Sequence, residues 1–154
     1  MSSEEETLRR LAVELRILEG TAEAIQSRIN LVNATLTELR IASMTLEGVE
    51  KEREGAPLFV PIGGGSYVKA KLESAETVIV GIGAGVAIER TIKEAKENLG
   101  NRIAEFEKTR TTFQQQLTQV IEKIQDGRSM FQELTAKLSE GERTKSVRET
   151  QRGT

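Results

Sequence analysis

The chain has 154 residues, of which 30% are charged and only 3% aromatic, a balance that suits long helices burying narrow stripes better than a compact globule. It has neither Cys nor His, which excludes disulfides, thiolate chemistry and Cys-based zinc sites and removes the commonest general base. A net charge of −2 supplies no basic field for nucleic acid or anionic lipid, so no enzyme activity, cofactor, metal or nucleic-acid partner is expected.

The opening MSSEEETLRR is polar and acidic and offers no leader pattern, so a cytoplasmic location is expected. Ser3-Glu4-Glu5-Glu6 has the Ser-x-x-Glu spacing of a capping box, with acids at the positive end of a helix. From there apolar residues fall at Leu8, Leu11, Leu15, Leu18, Ala22, Ile25, Ile29, Val32, Leu36 and Leu39, in alternating steps of three and four. That is a coiled-coil seam held for more than four heptads. A helix over 4–54 is expected, stopped by the Gly55-Ala56-Pro57 sequence.

Residues 57–88 change period. LFVPI, GGG and SYVKAKL read as one hairpin; TVIVGI and AGVAI, around Gly83-Ala84-Gly85, read as a second. The glycines of VIVGIGAGVAIE do not make a dinucleotide fingerprint, because Val86 stands where the third Gly is needed and no βαβ unit surrounds it. Their use is backbone freedom at a turn. The apolar run Thr77 to Ile88 is also too short to cross a bilayer, so no membrane partner is expected. Leu58, Phe59, Val60, Ile62, Val68, Val78, Ile79, Val80, Ile82 and Val86 are apolar on both strand faces. Strands of that kind need cover on both sides, which points to oligomerisation through a shared β platform or barrel.

A second helix is expected over 89–138. Ile92, Ala95 and Leu99 set one register, and Ile103, Phe106, Phe113, Leu117, Val120, Ile124, Phe131, Leu134 and Leu138 continue another after a stutter. Arg110 and Gly127 fall on seam positions and are expected to weaken it. Folding the chain about residue 73 sets Leu8 against Leu138, Leu15 against Phe131, Ile29 against Leu117 and Leu39 against Phe106. The fold class is therefore mainly α: a long antiparallel two-helix coiled coil with two central β-hairpins, a single domain. Residues 139–154 hold one large apolar side chain, Val147, and are expected to form a disordered tail.

The helix–hairpin–hairpin–helix order and the central stretch APLFVPIGGGSYVKAKLESAETVIVGIGAGVAIE resemble the prefoldin family, in its archaeal α-type form, over residues 5–138. The resemblance implies two α-type and four β-type subunits, whose hairpins build a double β-barrel from which six arms project. It also implies ATP-independent holding of non-native proteins and their delivery to a group II chaperonin. A holdase needs exposed apolar surface, and the expected client site is the distal tip, at Leu8, Leu11, Leu15, Met130, Phe131, Leu134 and Leu138. The alternative is that these residues close the coil to its end, leaving a passive coiled-coil scaffold.

Overall fold

The computed structural model describes residues 2–153. Their order is α1 (Ser3–Glu50), β1 (Pro57–Gly63), β2 (Ser66–Lys71), β3 (Thr77–Gly83), β4 (Val86–Thr91) and α2 (Ile92–Arg152). The residues divide into two compact units. A terminal unit combines the chain up to Leu31 with the chain from Thr111 onward, and a central unit spans Val32–Arg110.

In each unit the two helices pair antiparallel along the expected seam. The terminal unit buries Ile25, Ile29 and Ile124, and the central unit buries Val32, Leu36, Leu39, Ile92 and Ala95. Cross-helix bonds hold the same register. In the terminal unit Arg128 pairs with Glu19 at 2.9 Å. In the central unit Arg40 meets Glu107 at 2.7 Å and Lys96 meets Glu50 at 3.0 Å. Every pair lies within two residues of symmetry about position 73. These ion pairs lie at the surface, where solvent screening leaves them little net worth, and apolar burial along the seam carries the pairing. Arg110, on a seam position, donates to Asn33 Oδ1 at 3.2 Å, so its polar head is satisfied where an apolar residue would otherwise sit.

The helix ends depart from expectation. Ser2, not Ser3, caps α1: its Oγ accepts from the Glu5 amide at 3.3 Å and its carbonyl accepts from Glu6 at 3.2 Å. The N-cap is thus Ser2, one residue earlier than read. The helix ends at Glu50 rather than 54, followed by a turn in which the Gly48 and Val49 carbonyls accept from Lys51 and Glu52. Thr91 caps α2, its Oγ1 accepting from the Glu94 amide at 3.1 Å, so the second hairpin runs three residues beyond 88.

The largest correction concerns the C-terminus. Residues 139–152 are not a disordered tail but the last turns of α2, all of them exposed. Nucleation is the costly step in helix formation, and the packed part of α2 has already met it. Glu, Lys, Arg and Thr then add turn by turn, with Thr144 and Thr150 bonding back to the Glu140 and Ser146 carbonyls, until Gly153.

β1 pairs with β2 and β3 with β4, each antiparallel, as two separate two-stranded sheets. The hairpins are copies offset by 20 residues: Pro57–Gly63 and Ser66–Lys71 map onto Thr77–Gly83 and Val86–Thr91. The register shifts at matching places, between Pro61 and Gly63 and between Gly81 and Gly83. Both tips turn on two residues with positive φ, Gly64-Gly65 and Ala84-Gly85, the type I′ pattern that matches strand twist. Between the hairpins Ser74 Oγ accepts from the amides of Glu76 and Thr77, fixing the crossover.

Candidate functional site

Two apolar surfaces stand out, one in each unit. In the central unit, alternation along the strands sorts the residues expected to assemble. Val78 and Val80, with Ile88 opposite Val80, form the half-buried face of the second hairpin. Val80 and Ile88 line a 160 Å³ pocket with Glu94, Ala95 and Asn98 of α2. Leu58, paired with Ala70, is half-buried in the first hairpin. The other seven residues, Phe59, Val60, Ile62, Val68, Ile79, Ile82 and Val86, are exposed, Phe59 and Ile79 to 71%. Tyr67 joins them, which the sequence reading had not singled out.

This surface has an adjoining groove. Ala42, Thr45 and Leu46 of α1, Ala95, Leu99 and Arg102 of α2, and Val78 to Gly81 of β3 enclose 370 Å³. β3 is paired on one side only, so one of its edges presents unpaired backbone groups. An apolar face beside a free strand edge is chemically suited to receive another strand.

In the terminal unit, Leu8, Leu11, Leu15, Phe131, Leu134 and Leu138 are half-buried, while Met130 is 53% exposed. The seam is incompletely covered because two helices alone cannot enclose it. Gly127, expected to be a weak point, proves to be a packing site. It is buried, and a Cβ built on it would lie 2.8 Å from Leu15 Cδ2 and 3.9 Å from Leu11 Cδ1. The Leu15 side chain therefore rests on bare helix backbone. Beside it a 260 Å³ groove is lined by Leu11, Leu15, Leu18 and Met130, with Glu14, Lys123 and Asp126 at its margin. The signal in the sequence was a glycine on a seam position, and either a gap or a close approach produces that pattern.

Neither surface assembles groups for covalent chemistry. Among the described residues no three acidic side chains converge as a metal site, and no helix is long and apolar enough to cross a membrane. The hydrogen bond from Lys96 to Glu50 raises the lysine above the ordinary 10.5; desolvation partly opposes it, and the charges of Glu50 and Glu47 add to it. A third of the Lys96 side chain stays in solvent, so this reports a surface ion pair and not a reactive amine.

Comparison with known proteins agrees with this arrangement. The family model described as Prefoldin subunit matches residues 18–137. The prefoldin subunit alpha of Methanopyrus kandleri is 39% identical over 73% of this chain and 72% of its own. That of Pyrococcus horikoshii is 31% identical over 90% of this chain and 95% of its own. Among solved structures, a chain of the filamentous PFD from Methanocaldococcus jannaschii superposes with a TM-score of 0.63 at 26% identity, covering 72% of this chain and 92% of that one.

Proposed function

Because the chain belongs to the prefoldin family, a family of chaperone subunits rather than enzymes, we propose that it acts as the α-type subunit of a cytoplasmic, ATP-independent holdase. Two copies join four β-type subunits through their hairpins, the complex binds non-native proteins, and it passes them to a group II chaperonin. The α-type assignment is supported by the relatives of that name, which align over both helices and both hairpins. Assembly through the hairpins is supported by the exposure of Phe59, Ile62, Ile79, Ile82 and Val86, an apolar area too large for a monomer to leave bare.

The observation that carries the holding function is the terminal unit's incompletely covered seam. Leu8, Leu11, Leu15, Phe131, Leu134 and Leu138 are half-buried and keep part of their surface in solvent, and Met130 adds an adaptable thioether beside the Gly127 groove. Each such contact with a client is weak; several subunits gripping one chain multiply it by avidity.

The test is an aggregation assay with a denatured client and the assembled complex, without nucleotide. Wild-type complex suppresses aggregation in proportion to its concentration. Complex carrying Leu11→Ser, Phe131→Ser and Leu134→Ser protects several-fold less while remaining assembled. Undiminished protection by that variant would move the client site elsewhere, and no protection by the wild type would leave a passive scaffold.

A further inference from the structure

The two hairpins repeat each other in backbone but not in side chains. On the bare face of the first, Phe59 stands opposite Lys69 and Pro61 opposite Tyr67, with Lys71 beyond. At the same places in the second, Ile79 stands opposite Glu89 and Gly81 opposite Ala87, with Thr91 beyond. All of these residues are exposed. Bulky Pro61 and Tyr67 are thus replaced by Gly81 and Ala87, and basic Lys69 by acidic Glu89. One face is a knob and its duplicate is a hollow.

Charge separates the hairpins in the same way. Lys69 and Lys71 are the only charged residues between 57 and 71, and neither forms an ion pair among the described residues. Beside Ile79 on the second hairpin, Glu54, Glu73 and Glu89 line a 570 Å³ pocket with Val49 and Leu72, and no basic side chain lines it. Thr77 Oγ1 donates to the Glu89 carboxylate at 2.9 Å and holds it at that margin. The one cation of this hairpin, Arg90, pairs with Val78 on the other face and lines the pocket that contains Glu94.

The matching faces do not meet within one chain. The hairpins are separate sheets whose strands do not pack on each other. The crossover between them is pinned at both ends: Leu72 exchanges backbone bonds with Gly55 and Ala56, and the Glu76 carbonyl accepts from the Ile92 amide at 2.9 Å. Two complementary faces carried by one chain but kept apart in it are what a two-fold interface requires, since each copy then offers the other both halves. Pairing like with like would set lysine against lysine and glutamate against glutamate.

Resting on the reading that the hairpins assemble, we propose that two copies of this chain pair reciprocally, first hairpin on second. Phe59 and Tyr67 of each copy fill the space over Gly81 and Ala87 of the other, and Lys69 and Lys71 meet the carboxylates of Glu73 and Glu89. The duplicated hairpins carry the pairing rule: first meets second, not its own kind.

The test is sedimentation of the full-length chain alone, without β-type subunits. The wild type is expected to dimerise, and to do so more weakly as salt is added. A chain with Lys69→Glu and Lys71→Glu, and another with Glu73→Lys and Glu89→Lys, each set like charges together at both contacts and should dimerise about tenfold or more weakly. Mixed, the two variants regain opposite charges at both contacts, and a heterodimer of wild-type strength is expected. That recovery also shows that both variants are folded, which circular dichroism checks independently. A lysine-reversed chain that dimerises alone as well as wild type would mean like-with-like pairing and overturn the proposal, as would a mixture without recovery. Species that keep growing with concentration would replace the reciprocal pair by head-to-tail association and overturn it too. A wild-type chain that stays monomeric alone yet assembles with β-type subunits sinks this proposal while leaving the assembly role of the hairpins intact.

Discussion

Replacing Gly127 with alanine sets two opposed effects against each other at one position. Alanine is favoured over glycine inside a helix by about 1 kcal/mol, and the exposed helical glycines, Gly20, Gly48, Gly100 and Gly141, have nothing within 4 Å of an added Cβ. Each should gain roughly that amount on substitution. At Gly127 the added methyl lands 2.8 Å from Leu15 Cδ2 and 3.5 Å from its Cγ. Leu15 must leave its rotamer, at about 0.5–1.5 kcal/mol, or the two helices must part slightly, at about 1–3 kcal/mol. Gly127→Ala is therefore expected to lie between about 0.5 kcal/mol stabilising and about 2 kcal/mol destabilising, whereas Gly100→Ala stabilises by about 1 kcal/mol. Urea denaturation followed by circular dichroism measures both. In a Leu15→Ala background the obstacle is gone, and Gly127→Ala should then gain about 1 kcal/mol like the others. If Gly127→Ala stabilises the otherwise unchanged chain as much as Gly100→Ala does, Leu15 does not rest on the α2 backbone and the packing argument fails.

The hairpin tips give a second contrast. Gly64 has φ +59°, in the well that Ala84 already occupies at +51°, so Gly64→Ala should cost only about 1 kcal/mol; Gly83 sits at +109°, outside that well, and Gly83→Ala should cost more, up to about 3 kcal/mol, which thermal melts will rank. Assembly should depend on the exposed strand face: Phe59→Glu with Ile79→Glu leaves the helices intact by circular dichroism but shifts the chain, mixed with β-type subunits, to smaller species in light scattering. A variant that still assembled fully would place the interface away from the hairpins. Lys96, held above its ordinary 10.5 by Glu50, contributes stability that is fully present below that value and lost as pH rises through the elevated one. Lys96→Met should thus melt below wild type at neutral pH, with the gap closing only above pH 10.5; a gap that closes in the neutral range would refute the pairing.

Much of this architecture was legible beforehand because it is written in spacing. Three-and-four steps from Leu8 to Leu39 demand a helix with one buried stripe, and a mirrored stripe from Ile92 to Leu138 demands an antiparallel partner. Gly-rich breaks between β-branched runs demand hairpins. These are local statements, true of any chain with that pattern. The cap on Thr91 was also readable, since Thr91-x-x-Glu94 has capping-box spacing, but the β-like run before it obscured the boundary.

Other features depended on what each residue met once folded. Gly127 marks a gap or a close approach according to where Leu15 lies on the facing helix, and nothing near position 127 carries that information. Composition made residues 139–152 look like a free tail, yet they inherit a helix whose nucleus lies upstream. The division of the strands into a sheltered side, with Val78 and Val80, and a bare side, with Phe59 and Ile79, came from the packing of hairpins on helices. Periodicity declares which side chains share a face; only the assembled backbone decides what that face touches, because burial belongs to pairs of surfaces and a sequence describes one at a time.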